Sequence, residues 1–219
     1  HVASRSLSEF YSNNGDSRLS VVYRPTSGGL FLGLDQGNRG AFASNDANDY
    51  AKPNVLTNTP VYLFTVAESN FLQAEALVRY NSGTGAKAKY DEGVLNSFLT
   101  SGLPAGDAPA LTNAGGAYEY TSTGVIEDDV RQIMIQKWAS LAYVNTIESA
   151  FEVIRTKYPE TVAFGSENYT NGNLIASINS VLPGTSTPNS MFYPDNEVKR
   201  NNNITQKGSL TDKVWWDKK

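Results

Sequence analysis

The sequence contains no cysteine, and its only histidine is His1 at the chain end. The lack of cysteine excludes disulfide scaffolds, cysteine-ligated zinc sites and thiol nucleophiles. A Ser-His-Asp triad or a histidine-ligated metal site needs an imidazole, so most hydrolase and metalloenzyme templates are excluded as well. Catalysis by two carboxylates stays open, because a glycosidase needs only two suitably separated acids and the chain has 22.

Positive charge and long apolar runs are also scarce. The net charge is −4 and no basic cluster stands out, which argues against nucleic acid as a partner. No apolar run approaches the roughly 20 residues that a transmembrane helix needs, and residues 1–10 lack the pattern of a signal peptide. The 18 glycines and 9 prolines, together with many asparagines and serines, predict long irregular connections.

The longest segment with helical periodicity spans residues 125–159. Apolar residues recur there every three or four positions, and three acids occupy the first turn, where the helix dipole favours negative charge. The stripe loses register near Asn145, and Asn145 with Glu148 forms a capping box that begins a second helix. We therefore predict two helices that meet at a corner. The apolar face of the second helix would consist of Ile147, Ala150, Phe151 and Ile154.

A helix hairpin is predicted upstream of this corner. Thr65 and Glu68 form a capping box that begins one helix, and a second helix follows over 86–99. Small residues in the second helix let two antiparallel helices approach closely, as in a tetratricopeptide-like hairpin. A single hairpin cannot bury both of its faces, so the cornered helix pair should cover one of them. The predicted buried residues of the first helix are Phe71, Leu72, Ala74, Leu77 and Val78.

The remaining segments show weaker patterns. Residues 1–20 have the composition of an irregular lead-in that ends in a turn. Two short runs at 19–23 and 29–34, rich in valine, leucine and aromatic residues, predict a β-hairpin. Polar or glycine-rich loops are predicted at 41–60, 100–124 and 160–190, the last with one short helix around 174–181. Asp46, Asn48 and Asp49 lack the spacing of a calcium loop, so we predict turn chemistry there and no cofactor.

Several short motifs resemble the SusD/RagB family of outer-membrane nutrient-binding lipoproteins. They occur in the order that the family has them, at residues 33–37 (GLDQG), 136–138 (QKW), 155–159 (RTKYP), 191–203 and 213–217 (KVWWD). Some positions depart from the usual pattern. Ile154 and Lys157 stand where arginine and glycine are commoner, and residues 191–203 lack the leading arginine and the first proline of their motif.

The resemblance implies a non-catalytic, surface-exposed protein of the cell outer membrane that takes part in polysaccharide utilisation. Its ligand would be an oligosaccharide or a peptide, and its protein partner a SusC-like TonB-dependent transporter. Family members are roughly twice as long, so we expect this sequence to be the C-terminal half of such a protein. The lipid-anchoring cysteine and further helical repeats would then lie in the missing N-terminal half.

We predict a mainly α fold with long irregular loops and a short β-hairpin, in which the tetratricopeptide-like hairpin packs on the cornered helix pair. The whole chain, 1–219, is taken as one C-terminal portion. Residues 1–60 would provide the lead-in, hairpin and loop, 61–160 the helical core, and 161–219 an irregular C-terminal segment. Two other functions stay open: a helical-repeat scaffold that binds only protein, and, with less support, a carbohydrate-active enzyme.

Aromatic residues in loops are the candidate ligand-binding residues. Tyr118 and Tyr120 lie in a glycine-rich segment with no periodicity to bury them, and Phe42 and Tyr50 flank a polar loop. Exposed aromatic rings suit sugar faces or extended peptides, and nearby asparagine and aspartate could bond hydroxyls or amides. The alternative, for all four, is that they anchor their loops to the core.

Overall fold

The computed structural model describes residues 1–38, 47–165 and 169–217, so the predicted site residue Phe42 lies outside the described residues. Helices dominate, as predicted, and the strands have two residues each. The helices are α1 (Arg5–Asn13), α2 (Arg18–Val22), α3 (Val66–Tyr80), α4 (Ala86–Thr100), α5 (Asp107–Thr112), α6 (Ile126–Ser140), α7 (Thr146–Thr156) and α8 (Asp195–Arg200), with a 3₁₀ turn at Ala47–Asp49. The strands are β1 (Tyr23–Arg24), β2 (Lys52–Pro53), β3 (Thr161–Val162) and β4 (Leu174–Ile175).

The α3–α4 hairpin forms as the sequence predicts. The Thr65 hydroxyl accepts the backbone N–H of Glu68 at 3.1 Å and caps α3. Gly93 of α4 faces Phe71 of α3 so closely that a Cβ on Gly93 would lie 2.7 Å from the ring. The absence of a side chain at Gly93 is therefore what lets the two helices approach, and α3 packs on α6 on its other side.

The helical corner is also confirmed. Helix α6 buries Val130, Ile133 and Met134 in the core, while Trp138 is only half-buried and meets the ring of Phe10 edge-on. The side chain of Asn145 accepts the backbone N–H of Glu148 at 3.4 Å and begins α7. A capping side chain at the corner thus gives the second helix its own start.

The N-terminal segment folds into a helix, which corrects the predicted irregular lead-in. Helix α1 buries Leu7, Phe10 and Tyr11 along one side. The serines of this helix make the helical spacing of its apolar residues hard to recognise in the sequence. The Tyr11 hydroxyl donates to the backbone carbonyl of Ala139 at 2.6 Å. Burial of these side chains in the hydrophobic core offsets the poor helix propensity of serine.

The β-hairpin predicted over 19–34 does not form. Residues 19–22 belong to α2, because the carboxylate of Asp16 accepts the backbone N–H of Arg18 at 2.9 Å and begins that helix. β1 pairs antiparallel with β2 instead. Residues 32–34 run between the backbones of Ala3 and Ala51 and bond to both.

The helix predicted around 174–181 is wrong as well, because residues 174–175 form β4, which pairs in parallel with β3. The amide of Leu174 donates to the carbonyl of Glu160 at 2.8 Å, so a partner distant in sequence decides the conformation. Helices α5 and α8 were not predicted from the sequence. In the described parts of the chain, none of the helices has both the length and the apolar character needed to cross a membrane.

An exposed apolar surface includes residues predicted to be buried. Ile147, Ala150 and Phe151 of α7 are exposed, because ion pairs turn the opposite side of this helix toward α3 and α6, and Leu72 of α3 is also exposed. The side chain of Asn145 donates to the carbonyl of Leu63 at 3.4 Å, which joins α7 to the apolar segment before α3. We call this surface the outer apolar face. Its largest members are Val61, Leu63, Phe64, Ile147 and Phe151.

The outer apolar face should bind a hydrophobic dye or cause self-association, since exposed apolar patches of this kind are rare on monomers. Replacing Leu63 and Phe151 with serine should lower dye fluorescence at least about twofold while the thermal midpoint changes little, because both side chains are largely exposed. The control is Met191→Ser, which removes an equally exposed apolar residue outside this face. A monomeric wild-type chain that binds no dye would contradict the prediction.

Candidate functional site

Tyr118 and Tyr120 are buried, which corrects the expectation that they are exposed. Their exposed fractions are 4% and 5%. The Tyr118 hydroxyl donates to Asp16 Oδ2 at 2.6 Å, and its ring stacks on Phe10 with centroids 5.5 Å apart. The ring of Tyr120 packs against Tyr90 at 5.2 Å. Burial raises the pKa of Tyr120 to about 12. Both tyrosines thus anchor their loop to the core, the alternative considered for them.

The loop folds back because its polar groups find partners on α4 and α6. The Tyr90 hydroxyl donates to the carbonyl of Tyr118 at 3.0 Å. The carboxylate of Asp129 accepts the amide of Thr123 at 2.8 Å and the hydroxyl of Ser122 at 2.7 Å. These bonds replace the water that a free loop would need, so a segment without periodicity is still ordered.

A second buried centre surrounds Arg18. The guanidinium contacts Asp16 at 2.6 Å, and it donates to the hydroxyl of Ser97 at 2.8 Å and to the amide oxygen of Gln136 at 3.2 Å. It also lies over the rings of Tyr11 and Phe98. Arg18 is 1% exposed, so this centre is a structural cluster and not a ligand surface.

Lys137 of the 136–138 motif and Arg155 of the 155–159 motif form ion pairs between helices. Lys137 of α6 contacts Glu152 of α7 at 2.9 Å and Glu68 of α3 at 3.9 Å. Burial raises the pKa of Glu68, although Lys137 opposes this effect. Arg155 of α7 donates two hydrogen bonds to Glu75 of α3, at 2.8 and 2.6 Å. Lys137 and Arg155 therefore have structural partners, which explains why both motifs carry charges on helix sides that face other helices.

The acidic side chains were the remaining candidates for catalysis. Among the described residues, no group of three or more histidine, aspartate or glutamate side chains is placed to hold a metal ion. Four acids make contacts that serve the fold. Asp129 bonds the 121–124 loop, Glu75 and Glu152 pair with Arg155, and Glu68 lies beside Lys137.

Tyr50 is the predicted site residue that the structure places at a cleft. The cleft has a volume of about 420 Å³, and we call it the Tyr50 cleft. Tyr50 is half-buried, and the side chains of Leu30 and Leu32 are exposed beside it. Polar groups complete the lining, from Thr26, Ser27, Asn48 and Asp49.

The Tyr50 cleft is built by one turn and one 3₁₀ segment. The amide of Thr26 donates to the carbonyl of Leu30 at 2.9 Å, and the Thr26 hydroxyl accepts the amide of Leu30 at 3.1 Å. Gly29 closes this turn with a φ of +78°, a conformation that glycine adopts without strain. On the other side, Lys52 donates to Asn48 Oδ1 at 2.7 Å.

An aromatic ring, two aliphatic side chains and several hydroxyl, amide and carboxylate groups therefore meet in one cleft. This combination suits a ligand with both apolar faces and hydroxyls or amides. The sequence analysis missed Thr26, Leu30 and Leu32 as lining residues. The signal that pointed to this region was local: Tyr50 is an aromatic residue beside a polar loop.

A family model described as "Starch-binding associating with outer membrane" matches residues 3–178. The chain belongs to the SusD-like family. The predicted membership is therefore confirmed, and with it the association of the family with nutrient binding and the outer membrane. No curated protein sequence matches the chain.

Solved SusD homologues share the fold over nearly the whole chain. One from Bacteroides vulgatus is 22% identical with a TM-score of 0.69, and covers 98% of this chain and 49% of its own. One from Bacteroides fragilis is 20% identical with a TM-score of 0.67, and the match covers 98% of this chain and 51% of the homologue. A third structure is an outer-membrane protein of Bacteroides vulgatus to which a role in nutrient binding is ascribed. It is 19% identical with a TM-score of 0.67, and the match covers 97% of this chain and 50% of that protein. The chain thus spans about half the length of these relatives.

The ion pairs of Glu75 generate a prediction about pH. Burial alone would raise the pKa of Glu75, but hydrogen bonds from Arg155 and Arg79 outweigh it and hold the pKa below its ordinary value of 4.5. A lowered carboxyl pKa stabilises the fold fully above that value, and the stabilisation is lost as pH falls through the folded-state pKa. Glu75→Gln should therefore lower the free energy of unfolding by about 2 kcal/mol at pH 7.

The difference between wild type and Glu75→Gln should shrink as pH falls below 4.5, measured by denaturant unfolding at several pH values. Glu92→Gln is the control, because Glu92 forms only an exposed pair with Lys89 and should change stability little at any pH. A Glu75→Gln effect that stays constant down to about pH 2 would show that the charge of Glu75 does not matter.

Proposed function

We propose that the protein binds oligosaccharide nutrients, or peptides, at the cell surface without converting them, and delivers them to a SusC-like TonB-dependent transporter. Membership of a family described by starch binding and the outer membrane supports this proposal. The role in nutrient binding ascribed to a similar Bacteroides vulgatus protein supports it further. In this proposal the chain contributes part of the ligand site, and a lipid anchor outside the chain holds the protein at the surface.

The Tyr50 cleft is the observation that carries the proposal. The Tyr50 ring can stack on a sugar face, and the side chains of Thr26, Asn48 and Asp49 can form hydrogen bonds with the hydroxyls of a sugar. A shallow, open cleft with one aromatic ring fits reversible capture better than an enclosed reaction site. Phe42 remains a proposed member of the site and lies outside the described residues. Tyr118 and Tyr120 are not proposed, because they are buried.

Delivery to a transporter sets the expected affinity. The ligand must be released, so a dissociation constant in the micromolar range or weaker is expected, which is about −8 kcal/mol or less favourable. Stacking on an aromatic ring, with no ion pair to the ligand, predicts that the affinity depends only weakly on salt. Weak affinity with little salt dependence would also distinguish the proposed site from a charged protein–protein surface, where binding depends on salt.

Tyr50→Ala should weaken oligosaccharide binding at least about tenfold, because the stacking surface is lost. Tyr50→Phe should retain most of the affinity, since the ring remains. Tyr80→Ala removes an exposed tyrosine on α3 outside the cleft and is the control. The measurement is calorimetric titration of the protein at its encoded length, with ligands first selected on a glycan array and with a peptide pool.

Unchanged affinity in Tyr50→Ala, with folding intact, would remove the Tyr50 cleft from the site. Turnover of the bound ligand would contradict a non-catalytic role. Binding of protein partners alone, with no glycan or peptide bound, would favour the helical-repeat scaffold. For the delivery step, the expected result is co-purification with a TonB-dependent barrel encoded next to this protein, and its absence there would count against delivery.

A further inference from the structure

A second cleft, of about 390 Å³, lies between the N-terminal segment, β4 and the loop that follows β4. We call it the serine cleft. Its apolar lining includes Ile175, Leu182 and Pro188. Hydroxyl and amide side chains line the rest. Those used below are Ser6, Gln36, Thr161, Ser177, Ser180 and Thr187.

The described lining of the serine cleft carries neither a charged side chain nor an aromatic ring. A charged ligand group that entered this cleft would lose hydration without gaining a counter-charge, which is unfavourable. An uncharged group rich in hydroxyls would exchange its bonds to water for bonds to the lining at little cost. The composition of the cleft therefore selects for an uncharged polar ligand.

Three serine hydroxyls of the cleft are fixed by the backbone. Ser6 Oγ accepts the amide of Ile175, Ser177 Oγ accepts the amide of Asn179, and Ser180 Oγ accepts the amide of Leu182, each at 3.2 Å. A serine hydroxyl that accepts one bond can still donate its own proton. Each of these oxygens is therefore held in place and keeps a donor proton that the accepted bond does not use, and Ser6 itself is only 5% exposed.

The same bonds disfavour an extended peptide as the ligand. Leu174 and Ala176 direct their amides to β3, at 2.8 Å each, so the amide of Ile175 points to the opposite edge of β4. Ser6 already occupies that amide. A peptide could not add to β4 there as a further strand without breaking this bond, because strand addition uses the main-chain groups of the edge.

The serine cleft continues into its neighbours. It shares Thr161 and Thr187 with a cleft of about 430 Å³ on one side. It shares Ser4 and Gln36 with a cleft of about 900 Å³ beside the N-terminus. A ligand unit in the serine cleft could therefore extend in both directions, as a unit within a chain does.

We propose that the serine cleft is a second binding site, which takes an uncharged saccharide unit of an oligosaccharide. The hydroxyls of Ser6, Ser177 and Ser180 would donate to the ligand, and the apolar lining residues would contact a ring face. This surface is distinct from the Tyr50 cleft. The proposal rests on the proposed function only in its choice of a nutrient ligand, which it narrows from saccharide or peptide to neutral saccharide.

The test uses the protein at its encoded length and a panel of probes. The panel contains neutral hexasaccharides (maltohexaose, cellohexaose, xylohexaose and mannohexaose), charged hexagalacturonic acid, and an acetylated, amidated hexapeptide without charged side chains. The variant Thr161→Val/Ser177→Ala removes two hydroxyls of the cleft, and Ser186→Trp fills it. Thr170→Val removes an exposed threonine hydroxyl outside the cleft and is the matched control.

Both cleft variants should weaken binding of a neutral hexasaccharide about tenfold or more, while Thr170→Val leaves it unchanged. Retained α-helical circular dichroism would show that the variants fold. If Tyr50→Ala weakens binding and the cleft variants do not, the serine cleft is overturned and the proposed function stands. If the serine-cleft variants weaken binding and Tyr50→Ala does not, the serine cleft is supported as a binding site and the Tyr50 cleft is ruled out.

Two further outcomes would overturn the serine cleft as a saccharide site. One is loss of hexapeptide or hexagalacturonate binding in the cleft variants with neutral hexasaccharide binding unchanged. The other is failure of every neutral hexasaccharide to bind the wild-type protein. In that second case, binding of the hexapeptide in a Tyr50-dependent manner would still support the proposed nutrient-binding function.

Discussion

The fold depends on the buried ion pair between Arg18 and Asp16, which are 1% and 3% exposed. A buried charge must be paired and hydrogen-bonded, so every neighbour of Arg18 is constrained by it. Ser97 binds it from α4, Gln136 from α6, and Tyr118 donates to the same Asp16 carboxylate from the loop between α5 and α6. One cluster thus fixes two helices and a loop relative to the N-terminal segment.

What the sequence predicts correctly is what local chemistry decides. The capping side chains of Thr65 and Asn145, and the small Gly93, act within a few residues or across one hairpin, and the helices follow from them. The errors occur where a distant partner decides. Tyr118 has no local reason to be buried, but Asp16, 102 residues away, accepts its hydroxyl. The apolar side of α7 suggested burial, but the pair of Arg155 with Glu75, 80 residues away, turns that side outward.

The two candidate clefts show the same limit. Tyr50 could be selected from sequence because an aromatic residue beside a polar loop is a local pattern. The serine cleft combines Ser6, Thr161 and Ser177, which lie in separate segments and mean little individually. The Tyr50 cleft lies on irregular connections, and the serine cleft combines irregular segments with α1, β3 and β4. The outer apolar face lies on α7 and the segment before α3. The two proposed ligand surfaces are therefore separate from the outer apolar face.

A double-mutant cycle on Asp16 and Arg18 tests most directly whether this buried pair holds the framework. The variants are Asp16→Ala, Arg18→Met and the double variant, and the measurement is the free energy of unfolding in denaturant. Each single variant should lose about 3–5 kcal/mol, because it leaves a buried charge without its partner. The double variant should lose clearly less than the sum of the two losses. Losses that add to within about 0.5 kcal/mol would contradict the account, because residues that do not interact behave in that way.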